Sequence, residues 1–301
     1  MAQLNTYSDV SSLAQAIQDD AIFVIREVST MQGLVTVFSD MSGLNPRQGH
    51  QYNQGSANDI GEADDLTSSA FTPALDQTLT PSEIGLQFFL TDSRIESDIP
   101  ENIRTDAAQE LGFAAADKIE TDLLGEMANL TGGTIGAAGT AITWGYVAAA
   151  IAQARYVNKA NNVPLACVIH GYQWSVLAKS ASIAGATVAA VAPGFQEEIT
   201  RSGYVAQFMG VPLYQVHATP NSLDDFTGGV FPRPAIAIDW RRRVRVEPDR
   251  DPSRRGWELN MSAVYAHGVW RPTRGIQMIF DATAPTSSRS DKKWLDNLTF
   301  T

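Results

Sequence analysis

Four closely spaced glycines are the residues most suggestive of ligand binding. Gly132, Gly133, Gly136 and Gly139 lie in the stretch TGGTIGAAGT, whose backbone amides could hold a phosphate. A dinucleotide-binding fingerprint follows a strand and opens a helix, whereas these glycines follow a predicted helix. We therefore interpret the stretch as a helix terminator and hinge, with Gly132, Gly133 and Gly136 as the hinge candidates.

A thiol and an imidazole form the second candidate pair. Cys167 is the single cysteine of the chain, and His170 follows it on the predicted strand LACVIH. Side chains at positions i and i+3 of a strand point to opposite faces, which argues against a shared metal or proton. We interpret Cys167 as a buried structural residue. A lone cysteine also excludes an internal disulfide framework and a cysteine-built zinc site.

No other pattern predicts catalysis. His50, His217 and His267 lie far apart in sequence, and the acidic pairs Asp64–Asp65 and Glu197–Glu198 lie in polar surroundings. The sequence contains no G-x-S-x-G elbow, no H-E-x-x-H motif and no P-loop. We expect no catalytic residue, no metal and no cofactor. An enzyme whose catalytic groups come together from distant positions remains the alternative.

An arginine-rich strand is the most charged feature of the chain. Alternation along RRRVRV predicts an outward face made of Arg241, Arg243 and Arg245. The opposite face packs inward and consists of Trp240, Arg242, Val244 and Val246. We interpret the outward face as a belt between subunits. The alternatives are contact with DNA and a solvated face.

Charge is distributed unevenly along the chain, whose net charge is -11. Residues 1–132 contain 5 basic and 21 acidic residues, whereas residues 233–274 contain 10 arginines and 5 acidic residues. These two regions can pair within one chain or between copies, because the guanidinium fork binds carboxylates and keeps its charge when desolvated. A reader of duplex DNA more often has a basic surplus.

A long helix over residues 100–131 is the strongest predicted element that could position these groups. Its length would be roughly 45 Å, at about 1.5 Å per residue. One face carries apolar residues at helical spacing, namely Ile103, Ala107, Leu111, Ala115, Ile119, Leu123 and Met127. We interpret this helix as the strut of the molecule.

Residues 48–82 are polar and acidic, without the period of a core helix. This segment is too long for an ordinary loop. It is either disordered or a two-stranded arm whose partners lie on another molecule. A hairpin with roughly 16–18 residues per side would reach on the order of 50 Å.

The remaining segments predict a mixed α+β chain. Residues 9–28 have the pattern of an amphipathic helix, residues 143–223 alternate helices with short strands, and residues 230–282 are rich in strands. The N-terminus lacks the features of a secretory signal. No stretch approaches the roughly 20 apolar residues that span a membrane. We therefore expect a soluble protein made inside the cell.

The order of these segments resembles the major capsid proteins of tailed bacteriophages, whose fold is shared with herpesvirus capsids and bacterial encapsulin shells. Four stretches carry the resemblance: residues 80–92, 164–177, 210–220 and 255–272. The resemblance implies an α+β tailed-phage capsid fold with a long spine helix at 100–131. It implies an N-terminal arm (1–47), an extended β-hairpin loop (48–90), a peripheral domain (91–137 and 225–285), an α/β axial domain (138–224) and a C-terminal tail (286–301).

The resemblance also implies a function. The chain would self-assemble into hexamers and pentamers of an icosahedral shell that encloses phage genomic DNA without sequence specificity. Scaffolding, portal and cement proteins would be its other partners, and no membrane is implied. The shell would be assembled in the host bacterial cytoplasm and become part of the virion. Alternatives are an encapsulin-like nanocompartment shell protein and a soluble α/β enzyme.

One departure from the family concerns covalent crosslinking. Some members join a lysine of the extended loop to a neighbour, but residues 46–90 contain no lysine here. The shell is therefore expected to rely on non-covalent contacts or on a cement protein.

We hypothesise that the 48–90 arm of each subunit lies over the region 233–274 of the next subunit. Opposite charge would set the register, and buried apolar residues would provide the association energy. The candidate intersubunit contact residues are Arg241, Arg243, Arg245, Arg254 and Arg255 on one side and Asp59, Glu62, Asp64, Asp65 and Phe71 on the other.

Overall fold

A computed structural model describes residues 30–52, 70–93, 103–159, 163–183, 207–216 and 224–283, together with residues 57, 59–62, 65 and 68. The predicted helix over residues 9–28 and the predicted tail over residues 286–301 lie outside the described residues. Asp64 and His217 lie outside them as well. The described part of the chain combines helices with several sheets, as the predicted α+β class requires.

The described α-helices are α1 (Thr30–Leu34), α2 (Ile103–Gly125), α3 (Trp144–Asn158) and α4 (Gly171–Ile183). Helix α2 is the predicted long helix, but it ends at Gly125, and a 3-10 turn over Glu126–Asn129 follows it. Its described part is about 35 Å long, and residues 100–102 of the predicted helix lie outside the described residues. None of the described helices is long and apolar enough to cross a membrane.

The predicted apolar stripe of α2 is confirmed over its described side chains. Five of its residues are at most 1% exposed, namely Leu111, Ala115, Ile119, Leu123 and Met127. They share one core with the inward-facing residues of a four-stranded sheet. This sheet has the spatial order β1 (Thr36–Phe38), β10 (Ile236–Asp251), β11 (Gly256–Val269) and β4 (Ser82–Thr91). Its strands are antiparallel except for the parallel pair β1–β10.

A second core lies between α3 and a six-stranded sheet. The sheet has the spatial order β5 (Thr134–Gly136), β12 (Ile276–Asp281), β9 (Asp225–Pro232), β6 (Leu165–His170), β8 (Val211–Val216) and β7 (Gln207–Phe208). Helix α3 begins after Thr143, whose side chain accepts a hydrogen bond from the Tyr146 amide at 3.4 Å. Its buried residues are Val147, Ala150, Ile151 and Ala154.

Strand pairing changes one predicted grouping. The sequence groups residues 225–285 with the long helix, but β9 and β12 pair with each other and β9 pairs with β6, so both belong to the six-stranded sheet. Only β10 and β11 of that region join the sheet against α2. Strand β9 is absent from the sequence interpretation because Gly228 and Gly229 are typical of turns. A Cβ atom at Gly228 would lie 2.3 Å from the Val168 carbonyl oxygen, so the close approach of β6 requires glycine there.

The predicted extended hairpin is present. Strands β2 (Arg47–Tyr52) and β3 (Pro73–Leu79) are antiparallel, with Arg47 opposite Leu79 and Tyr52 opposite Pro73. The paired part therefore extends about 20 Å, less than the predicted 50 Å. Residues 82–90, which the sequence assigns to the loop, form β4 of the four-stranded sheet. Their alternating apolar side chains pack on the α2 core, which explains the difference.

Candidate intersubunit contact site

The arginine-rich strand β10 does not alternate as the sequence predicts. Its register with β11 is irregular between Trp240 and Arg242 and again between Arg242 and Arg245. Such bulges shift the side-chain period by one residue. The Arg241 side chain is 2% exposed, so its predicted outward orientation is wrong, and Arg242 is exposed instead of facing inward. Arg243 and Arg245 are exposed, as predicted.

Arg241 belongs to a buried charge cluster around Asp239, which is fully buried. The Arg241 Nη2 atom lies 2.9 Å from Asp239 Oδ2, and Arg47 Nε donates a hydrogen bond of 2.9 Å to the same oxygen. Arg47 also pairs with Asp40. Burial lowers the pKa of Arg47, but its bonds to Asp239 and Asp40 outweigh that effect and hold the pKa above its usual value. Loss of Asp239 would leave two largely buried guanidinium groups without their shared partner.

The base of the hairpin packs firmly on the four-stranded sheet. The Trp270 indole lies so close to Gly49 that a Cβ atom there would be 2.3 Å from the ring. Leu79 is 1% exposed and packs with Ala237 and Ala266 of the sheet. These contacts, together with the Asp239 cluster, fix where the hairpin leaves the body. The sequence interpretation missed this anchor. Its only signal was an acidic residue within the apolar run AIAIDW.

The distal end of the hairpin is exposed, in contrast to the packed base. Tyr52 and Phe71 stack with ring centroids 4.4 Å apart and an interplanar angle of 7°. Tyr52 is 48% exposed and Phe71 is 76% exposed. The acidic candidates Asp59, Glu62 and Asp65 are also exposed. A stacked aromatic pair left in water is typical of a contact surface.

Several arginines of region 233–274 already have partners within the chain. Arg242 pairs with Glu83. Arg250 binds Asp92 through two contacts, one of them 2.7 Å. Two of the predicted contact candidates also have a carboxylate partner within the chain. Arg245 pairs with Glu247, and Arg254 lies 3.7 Å from Asp251 and 3.9 Å from Glu258. Such surface pairs hold the β10–β11 hairpin and its neighbour β4 together, and each contributes little stability.

Arg243 and Arg255 differ from these arginines. Both are exposed, and within the described ranges neither side chain pairs with a carboxylate. They are therefore the two arginines among the predicted candidates whose charge is still available to another molecule.

The three hinge candidates lie in close contact with other parts of the chain. The Gly132 amide donates a 3.0 Å hydrogen bond to the Gly275 carbonyl. Cβ atoms at Gly132 and Gly136 would lie 2.5 Å and 2.3 Å from backbone carbonyl oxygens, and one at Gly133 would lie 2.0 Å from the Gln153 amide. The close approach of other groups therefore explains these glycines. Their role as a hinge stays a prediction.

Cys167 and His170 are both buried, at 0% and 4% exposure, because both faces of β6 are covered. Burial raises the pKa of the Cys167 thiol to about 12. The predicted burial of Cys167 is confirmed. Its structural role stays a prediction, which the raised pKa supports, because the thiol then stays protonated at neutral pH.

A polar cluster joins the end of the long helix to strand β11. His267 Nδ1 lies 3.0 Å from Glu126 Oε1, and its other ring nitrogen lies 3.8 Å from Asp122. The Tyr265 hydroxyl donates to Asp122 at 2.6 Å. The hydrogen bond with Glu126 is the main cause that raises the pKa of His267. Burial raises the pKa of Glu126, but the bonds from His267 and Asn129 outweigh it, and the net shift is downward.

This cluster predicts a pH-dependent stability. The raised pKa of His267 means that its stabilisation is complete below its ordinary value of 6.5 and is lost as the pH rises through the folded value. The lowered pKa of Glu126 means that its contribution is present above its ordinary value of 4.5 and is lost as the pH falls below that. We expect His267→Gln to lower Tm by a few degrees near pH 5.5, on the order of 1 kcal/mol, and by less at pH 8.5. Tm profiles of the unassembled chain measure this. Equal losses at both pH values would contradict it.

Comparison with solved structures defines the class of fold. The chain resembles the capsid chain of Helicobacter pylori bacteriophage KHP30 with a TM-score of 0.66 and 11% identity, covering 84% of this chain and 91% of that one. It resembles a chain of Mycobacterium phage Che8 with a TM-score of 0.63 and 17% identity, covering 78% and 84%. It resembles the chain of a virus-like particle from Pyrococcus furiosus with a TM-score of 0.57 and 8% identity, covering 88% of this chain and 98% of that one. These likenesses show a phage capsid fold.

The sequence itself gives the family. Residues 75–277 match the family described as phage capsid protein. No curated protein matches the sequence. The matched region contains the long helix and nearly all of both sheets, so the chain belongs to the phage capsid protein family. Its role is that of a major capsid protein, a structural component of the virion.

Proposed function

We propose that the chain assembles into hexamers and pentamers of an icosahedral shell that encloses phage genomic DNA. The single observation that carries this proposal is the β2–β3 hairpin. Its base is fixed on the body by the Asp239 cluster and Trp270, while its distal aromatic pair is exposed. An aromatic pair that is held in a fixed place and stays largely exposed in its own chain suits contact with a second copy.

We propose that this hairpin lies over region 233–274 of the adjacent subunit. Burial of Tyr52 and Phe71 would supply most of the association energy, at about 1.5–3 kcal/mol for each side chain. The acidic residues Asp59, Glu62, Asp64 and Asp65 would meet arginines that have no carboxylate partner among the described residues of their own chain. Closed symmetry repeats each contact many times, so modest contacts become collectively stable.

The domain division also belongs to this proposal. Residues 91–137 except β5, together with β10 and β11, would form the peripheral part. Residues 138–224 with β5, β9 and β12 would form the axial part that surrounds the centre of each ring. Assembly would take place in the host bacterial cytoplasm, with scaffolding, portal and cement proteins as further partners. Residues 46–90 contain no lysine, so we propose a shell held without loop crosslinks.

An encapsulin-like nanocompartment is the second candidate, because the same fold is shared with the virus-like particle from Pyrococcus furiosus. The two functions differ in contents, since a nanocompartment holds a cargo protein and a phage shell holds DNA.

Expression of the chain in a bacterium tests the proposal. We expect hexamers and pentamers by native mass spectrometry, and megadalton particles or tubes by negative-stain electron microscopy. Those particles should contain no second protein in fixed proportion. A small oligomer of fixed size at every protein concentration would contradict the proposal, and a stoichiometric cargo enzyme inside the particles would favour the nanocompartment.

A further inference from the structure

The turn between β11 and β12 contains two arginines three residues apart. Arg271 precedes a 3-10 turn over Pro272–Arg274, and the Arg274 amide donates a 3.1 Å hydrogen bond to the Arg271 carbonyl. This hydrogen bond closes a four-residue turn, so the Cα atoms of Arg271 and Arg274 lie within about 7 Å of each other. We call residues 271–274 the arginine turn.

Contacts from three directions fix the backbone of the arginine turn. The Arg271 amide donates to the Ala235 carbonyl at 3.0 Å, and the Thr131 amide donates to the Pro272 carbonyl at 2.9 Å. The Asn158 side chain at the end of α3 donates to the Arg274 carbonyl at 2.9 Å. The turn is therefore held in place before any partner arrives, which reduces the entropy lost on binding.

The two guanidinium groups have no opposite charge within the described ranges. Neither Arg271 nor Arg274 forms an ion pair there, whereas Arg241, Arg242, Arg245, Arg250 and Arg254 all do. Arg274 is partly buried. Burial and the like charge of Arg271 lower its pKa. Two adjacent cations, one of them partly desolvated, favour a bound anion more strongly than the solvated Arg243 and Arg255 do.

We propose that the arginine turn binds carboxylates at the distal end of the β2–β3 hairpin of a second copy of this chain. This inference rests on the proposed function and names the anion site of that contact. Residues 53–72 contain four acidic and no basic residues. Three of the acidic residues, Asp59, Glu62 and Asp65, are exposed and form no ion pair in the described structure. The planar guanidinium fork matches a carboxylate in shape and charge.

Charge reversal on each side tests this pairing. The first variant carries Arg271→Glu and Arg274→Glu, and the second carries Asp59→Lys, Glu62→Lys and Asp65→Lys. We expect each variant alone to lose association by at least about 10-fold, measured by native mass spectrometry and light scattering. An equimolar mixture should regain association, because the acidic altered turn of the first variant then meets the basic altered hairpin of the second. The unaltered arginine turn of the second variant likewise meets the unaltered acidic hairpin of the first. A single chain that carries all five changes should also assemble.

The controls separate this site from the fold and from the proposed function. Far-ultraviolet circular dichroism and Tm of the unassembled variants must match the unaltered chain. Lys118→Glu, which reverses an exposed charge on α2 outside region 233–274, should reduce association much less. Equal losses at Lys118 would overturn the assignment to the turn. If the five-change chain recovers association but the mixture does not, the arginine turn pairs with the hairpin of its own chain. Normal shells with a reduced nucleic-acid content would make DNA phosphate the anion. Each of these results leaves hairpin-dependent assembly standing, and a chain that forms no shell at all contradicts the proposed function itself.

Discussion

Replacement of residues 53–72 by a two-residue Asn-Gly turn abolishes shell assembly while the chain stays folded. Tyr52 lies opposite Pro73 across the hairpin, so a two-residue turn can close the strands there without changing their register. The replacement removes Phe71 and the acidic residues. Phe71 is exposed within one chain, as are the described acidic residues Asp59, Glu62 and Asp65. We therefore expect Tm of the unassembled chain to change little. The count of particles in negative-stain images should fall by about 100-fold or more, because each subunit contact loses on the order of 3 kcal/mol.

Point substitutions refine this prediction. Phe71→Ser removes half of the stacked pair, and Phe113→Ser removes another exposed phenylalanine from α2, away from the hairpin. We expect the first to weaken association at least about 10-fold and the second to have little effect. Equal effects of the two substitutions would show that exposed aromatic area in general, and not the hairpin, drives association.

The buried cluster at the hairpin base predicts the largest effect on stability. Asp239→Asn keeps the shape of the side chain but removes the charge shared by Arg47 and Arg241. Because the broken pair is buried, we expect a loss of about 3–5 kcal/mol in the free energy of unfolding. In a chain of this size that corresponds to roughly 10 °C in Tm. Hydrogen exchange should also accelerate at the amides of β2, since Arg47 loses its buried partner.

Asp40→Asn is the matched control for this prediction. Asp40 pairs with the same arginine, but its side chain is 68% exposed. Water can replace that partner, so Tm should change little and exchange in β2 should stay slow. The role of the cluster is contradicted if Asp239→Asn and Asp40→Asn give the same small change.

The sequence was sufficient to predict elements whose apolar residues recur with one regular spacing. The apolar stripe of the long helix depends on residues that are close in sequence, and the structure confirms its burial from Leu111 to Met127. The end of α2 was predicted too late because the 3-10 turn at Glu126–Asn129 continues the apolar spacing to Met127. Strand β9 was missed because its glycines are explained only by the approach of Val168 from another strand.

The candidate site was predictable in outline but not in its contacts. The sequence composition distinguished the acidic N-terminal region from the arginine-rich region. This difference predicted that opposite charges take part in the candidate contact site. Strict alternation failed at Arg241 and Arg242 because two bulges change the strand period. No local pattern indicates that Arg47 reaches Asp239 from 192 positions away. Pairings of that kind arise from the tertiary fold, and only the structure distinguishes the arginines with partners from those without.

A cryo-electron microscopy reconstruction of the assembled particle tests the central claim most directly. We expect density for the distal hairpin on an adjacent subunit, with Tyr52 and Phe71 buried and the acidic residues against Arg271 and Arg274. Density that shows the distal hairpin folded against its own chain, without contact to a neighbouring subunit, would contradict the account.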